Sequence, residues 1–117
     1  MGDSTQELID RLFKFRKSRE WEQFHDPKNL AEAISIEAGE LLENFLWKTT
    51  DESKSISKGE ISKIEEEVAD IFIFLVYLSE EVGIDLIKTA KRKIELNELK
   101  YPEEKARGSS KKYSELD

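Results

Sequence analysis

Four acidic residues form two i, i+3 pairs, Glu37-x-x-Glu40 and Glu67-x-x-Asp70. Turning the chain around the first pair at about 100° per residue places Leu30, Ile34, Leu41 and Phe45 on one apolar stripe, with Glu37 in its middle. Glu40 lies about a sixth of a turn to one side. In the second pair, Asp70 is the only charged residue in the apolar run 68–78, and Glu67 lies beside it on the same face. An ionised carboxylate facing a core is costly unless it is paired or bound to a cation. Two such pairs on neighbouring helices can converge as an all-oxygen cage, which selects Mg²⁺, Mn²⁺ or Ca²⁺; the octahedral preference of Mg²⁺ suits a site that also takes phosphate oxygens. Acids fill 26 of 117 positions, so this spacing also arises by chance, and Glu40-x-x-Glu43 is a further instance. The registers Glu40/Glu43 and Glu66/Asp70, and a plain salt-bridged surface, therefore stand beside the metal reading.

Aromatic and basic side chains surround these acids. Trp21, Phe24, His25 and Trp47 flank the Glu37 helix at its two ends, and Trp and His faces are natural stacking partners for a planar base. Taken singly, Trp21, Phe24 and Trp47 read as core or interface residues, and His25 as a neighbour of a helix cap. Further on, Lys93 and Asn97 are i, i+4 and can reach one ligand together, whereas Lys91 and Arg92 read as solvated charge. Arg107, Lys111 and Lys112, interleaved with Gly108, Ser109 and Ser110, suit a phosphate clamp or a solvated tail.

The elements that must position these residues read as helices throughout. Ser4-x-x-Glu7 opens a first helix carrying Leu8, Ile9, Leu12, Phe13 and Phe15. Asp26-Pro27 starts a second, running to about residue 47. The polar, Ser/Thr-rich stretch 48–59 reads as a mobile loop. A third helix spans about 60–81, and a fourth follows Gly83, with Asp85 near its start, to about residue 100. The charged tail, 103–117, would be disordered alone. No segment alternates with the period of a strand, and no internal repeat is visible. The expected class is all-α, a bundle of four main helices, with a domain at 1–102 and a polar tail at 103–117. The third helix is apolar around most of its circumference, so a partner chain should complete the core.

Composition narrows the chemistry. At 117 residues the chain is one domain's worth. Its net charge of −7 argues against nucleic-acid polymers and anionic membranes as partners. No cysteine means no disulfide, thiolate nucleophile or iron–sulfur cluster, and a single histidine excludes a multi-His metal site within one chain. The acidic, polar N-terminus resembles neither a signal nor a transit peptide, so a cytoplasmic location is expected. The run 68–78 is too short to span a bilayer, which takes about 20 residues.

With these residues in view, the sequence resembles the all-α NTP pyrophosphohydrolases of the MazG-like superfamily, and within it the dCTP pyrophosphatases. The family signature, Glu-x-x-Glu followed by Glu-x-x-Asp, appears as Glu37-Ala38-Gly39-Glu40 and Glu67-Val68-Ala69-Asp70. The segment from Glu20-Trp21-Glu22-Gln23-Phe24-His25 to Leu30, the segment Phe45-Leu46-Trp47-Lys48, and residues 93–113 resemble the family's flanking parts. The resemblance implies Mg²⁺-dependent hydrolysis of a nucleoside triphosphate between its α and β phosphates, with Mn²⁺ a possible substitute and pool sanitation the role. It implies Glu37, Glu40, Glu67 and Asp70 as metal ligands, with Glu40 the candidate base acting through water. His25, Trp47 and Trp21 would form the base pocket, while Lys93, Asn97, Tyr101 and Lys111 would contact the substrate. Family members are dimers or dimers of dimers, so a homodimer or homotetramer is expected. One departure is visible: Phe74 stands four residues after Asp70, where related enzymes can carry tyrosine. The alternatives are the same chemistry on dUTP, a modified cytidine nucleotide or NTPs broadly, and a helical dimerisation or adaptor module without catalysis.

Overall fold

The computed structural model describes residues 4–116, and the chain divides into two compact units, residues 1–83 and 84–117. The ends of the expected domain ranges, residues 1–3 and 117, lie outside the described residues. The first unit contains α1 (Thr5–Ser18), a 3-10 turn (Trp21–Phe24), α2 (Pro27–Glu43), α3 (Thr50–Ser53) and α4 (Lys58–Val82). The second contains α5 (Leu86–Lys100), α6 (Glu103–Ala106) and a closing 3-10 turn (Tyr113–Glu115). Four helices are long, and there is no strand among the described residues, so the all-α expectation holds.

Local chemistry sets most boundaries. The Ser4 hydroxyl accepts from the Glu7 amide at 3.1 Å, and the Asp26 carboxylate accepts from the Asn29 amide at 2.8 Å with Pro27 in the first helical position. Ser57 and Glu60 cap α4 reciprocally. Gly83 ends it at φ 76°, a left-handed conformation that costs glycine little. Asp85 caps α5 through the Lys88 amide at 3.0 Å.

Two expectations need correction. The second helix stops at Glu43 rather than near residue 47: the amides of Phe45 and Leu46 bond three residues back, to Leu42 and Glu43, and Trp47 closes the segment at φ 69°. The 3-10 tightening of a helix end is invisible to apolar periodicity. The stretch 48–59 is not loop throughout, because Thr49 and Glu52 form a second capping box that nucleates α3, and α4 begins at Lys58. The tail carries α6 and the closing 3-10 turn.

Within the first unit α2 packs along α4. Leu30, Val76 and Tyr77 are buried between its elements. Tyr77 Oη donates to the Leu12 carbonyl at 2.9 Å, tying α4 to α1. Lys48 Nζ meets Glu60 Oε2 at 2.7 Å and fixes the turn after α2 against the start of α4. Considerable apolar surface stays uncovered, including Ile36 and Leu42 on α2 and Val68 and Leu75 on α4. No helix is long and apolar enough to cross a membrane among the described residues.

Candidate metal centre and aromatic pocket

The packing of α2 on α4 brings Glu37, Glu67 and Asp70 together, with one carboxylate oxygen from each lying within 4.8 Å of the others. Glu37 and Glu67 are half-buried and Asp70 is exposed. Oε2 of Glu37 and Oε2 of Glu67 are both shielded from solvent and have no hydrogen-bond donor. Clustering raises the affinity of Glu67 for a proton above the ordinary carboxylate range: hydrogen bonding to the Glu37 carboxyl is the largest cause, burial and the charges of Glu37 and Asp70 add to it, and Glu40 opposes it. An all-oxygen set with two donorless, shielded oxygens fits a hard divalent cation.

Glu40 lies one turn from Glu37 and does not join this triad. It borders an adjoining polar cavity of about 440 Å³ with Glu43, Asn44, Lys63, Glu66 and Glu67. Of the competing registers, Glu43 and Glu66 face this cavity too, outside the converging group.

On the other side of the acids, Asp70 also lines a second cavity, of about 350 Å³, walled by apolar and aromatic residues that include Phe15, Trp21, His25, Phe74 and Tyr77. Trp21 meets Phe15 edge-on at 5.5 Å and His25 at 6.4 Å, and His25 lies 5.1 Å from the Tyr77 ring at an interplanar angle of 31°. Burial, with the nearby Arg16 charge second, lowers the proton affinity of His25 below its ordinary value, while Glu81 and Glu22 pull the other way. A volume at the low end of the roughly 300–1,000 Å³ of ligand pockets, with a carboxylate at one rim, suits a small planar group attached to a charged one.

Other sequence-based candidates fall elsewhere. Trp47 is 92% exposed and does not line the aromatic cavity. Phe24 is exposed as well. Lys93 and Asn97 lie exposed on α5, Tyr101 caps its end, and Lys111 borders a tail cavity with Glu104, Lys105, Ser109, Glu115 and Leu116; all four belong to the second unit. Sequence reasoning did not single out Phe15 or Tyr77 as pocket residues. Tyr77 follows Asp70 by seven positions, two helical turns, and Phe15 follows Leu12 by three. That phase relation was the available signal.

The arrangement sets a hard-cation site beside an aromatic slot, with an acidic residue between them. A model of the MazG-like family matches residues 33–116, which carry all four motif acids. The chain belongs to the MazG-like family. The human protein named dCTP pyrophosphatase 1 is 42% identical to this MazG-like chain over 117 aligned positions, 97% of this chain and 69% of that protein. Its bovine counterpart is 40% identical, across 98% and 70% of the two chains. Among solved structures, a pyrophosphatase from Archaeoglobus fulgidus shares 45% identity and superposes with a TM-score of 0.79, covering 87% of this chain and 95% of that one. The MazG-like fold that the resemblance implied is the observed one, and the protein is an enzyme of the pyrophosphatase kind.

Proposed function

We propose that this MazG-like chain is a nucleoside triphosphate diphosphatase that hydrolyses dCTP to dCMP and pyrophosphate with a divalent cation, Mg²⁺ first and Mn²⁺ as its substitute. The observation that carries the reading is the double role of Asp70, which belongs to the acidic triad and also to the rim of the aromatic cavity. A ligand with a base in that cavity would hold its phosphates at the acids. The names of the relatives support cytosine deoxynucleotide as substrate. A purely structural adaptor has no use for the donorless oxygens of Glu37 and Glu67.

In this mechanism Glu37, Glu67 and Asp70 would hold the cation, with Glu40 at the edge of the set. A bound cation would supply charge neutralisation for the substrate and lower the pKa of a nearby water. Trp21 and His25 orient the base, and Glu40 accepts a proton from the attacking water. The water oxygen bonds to the α phosphorus, the bond from that phosphorus to the bridging oxygen breaks, and pyrophosphate leaves. Lys93, Asn97, Tyr101 and Lys111 are assigned as substrate contacts on the resemblance of residues 93–113, and Trp47 as a base-pocket residue on the same ground. The uncovered Ile36, Leu42, Val68 and Leu75 support self-association into a homodimer or homotetramer.

Purified protein assayed with Mg²⁺ against dCTP, dUTP, 5-methyl-dCTP and the common NTPs, with pyrophosphate detection, tests this. The expected result is the highest kcat/KM on dCTP. No turnover of any nucleotide would overturn the reading, and a preference for another nucleotide would move the substrate within it.

A further inference from the structure

Arg16 is buried in the first unit, and the proposed mechanism makes no use of it. Its Nη1 donates to Glu81 Oε1 at 2.8 Å, its guanidinium lies 4.9 Å from the Tyr77 ring centroid and 5.9 Å from that of Phe13, and its Nε is shielded without an acceptor. Tyr77 is held in turn by the Leu12 carbonyl, and its ring carries the His25 imidazole in a tilted stack. Arg16 itself does not line the cavity. Stability gives little reason for such a residue, because apolar groups of similar volume commonly stabilise a core as well as a buried ion pair does. A planar cation behind an aromatic wall does fix the ring it faces.

We propose that Arg16 is a positioning residue for the aromatic cavity: anchored by Glu81, its guanidinium fixes the Tyr77 ring against which His25 stacks, so that base recognition depends on a side chain that never touches the base. The inference rests on the reading of this cavity as the base site. The same charge favours an uncharged imidazole, which meets a neutral base by stacking and hydrogen bonding. The groups facing His25 are Arg16 from α1, Glu22 from the 3-10 turn, and Tyr77 and Glu81 from α4, with Asp70 across the cavity.

The test uses the full chain as Arg16→Met and Glu81→Gln, with Ser57→Ala as a stability control. Ser57 caps α4 about 25–30 Å along the helix from the Phe74 and Tyr77 turns. His25 is the only histidine, so one proton NMR signal reports its titration. Arg16→Met should raise the KM for dCTP about tenfold with kcat within about twofold, and should move the His25 midpoint upward; Glu81→Gln should raise KM severalfold. A folded Arg16→Met protein with parental KM and parental His25 midpoint overturns the proposal, as does an equal KM rise in Ser57→Ala. If Arg16→Met does not fold, an unchanged KM in Glu81→Gln overturns it. Should the parent hydrolyse no nucleotide, the functional reading fails by itself. Arg16 is then judged on the His25 midpoint, and no shift in Arg16→Met rejects its role.

Discussion

Glu37 on α2 and Glu67 on α4 face one another across the helix pair, each with a shielded Oε2 that no donor reaches. Glu67 holds a proton more tightly than an ordinary carboxylate, chiefly through hydrogen bonding to the Glu37 carboxyl, with burial and the repulsion of the two charges adding to it. A divalent cation between them would replace that repulsion with attraction on both sides.

Divalent cation should therefore stabilise the fold. At a hundredfold excess over its Kd, Mg²⁺ adds about 2.7 kcal/mol, or roughly 10 °C in Tm for a domain of this size. Differential scanning fluorimetry of the parent should show this rise, and Glu37→Gln and Glu67→Gln should lose it. Without metal, Glu67→Gln should melt above the parent, since it removes a repelling charge.

Asp70→Asn should separate chemistry from folding. Asp70 is exposed, so its Tm without metal should stay within about 2 °C of the parent. Its kcat should nonetheless fall by more than about 100-fold, measured as pyrophosphate release from dCTP.

Trp21→Ala should weaken binding with little effect on the chemical step. Base–aromatic stacking is worth about 1–3 kcal/mol on alanine substitution, so KM should rise between about 5- and 150-fold. Isothermal titration with a non-hydrolysable dCTP analogue should reproduce the factor as a loss of affinity.

Acid should destabilise the fold in two stages. His25 has a folded-state affinity for protons below its unfolded reference of 6.5, so the unfolded chain binds more protons and stability falls as pH drops below that value. Glu52, held ionised by hydrogen bonds to Thr49, and Glu60, held by Lys48 and Ser57, likewise sit below the ordinary 4.5, and their contributions vanish as pH falls through and below it. Glu67 has the opposite sign: raised above 4.5, it takes up a proton in the folded state first and offsets part of the loss just above that pH. Tm measured from pH 8 to pH 3 should decline across both windows, and Glu67→Gln should steepen the decline between them.

Self-association should depend on the apolar faces that the chain leaves open. Val68→Glu, at a position half exposed here, should shift sedimentation toward the monomer without lowering helix content. A parent that sediments as a monomer at micromolar concentration would remove the oligomer from the proposed function.

Much of the molecule could be read before folding was considered. Capping pairs such as Ser4 with Glu7 and Asp26 with Pro27 act within one turn, so residue order alone specifies where α1 and α2 begin, whereas the Ser57–Glu60 box that starts α4 lay at the end of a stretch read as loop. The cost of a charge among apolar neighbours likewise marks Glu37 and Asp70 from helical phase. The end of α2 was harder, because a 3-10 tail has no periodic signature, and α3 was hidden in a polar stretch although Thr49-x-x-Glu52 was there to see.

What residue order by itself determined was the helical class, most helix starts and the acids that need a counter-charge, since each follows from interactions within about one turn of helix. Only the tertiary structure decided which acids converge, that Glu40 stands beside the triad, and that Phe15 and Tyr77 wall the aromatic cavity with the buried Arg16 against the Tyr77 ring outside it. Those outcomes depend on the register between α1, α2 and α4. That register is set by the burial of Leu30, Val76 and Tyr77 and by the Tyr77–Leu12 hydrogen bond, contacts between residues far apart in sequence whose pairing no local rule specifies.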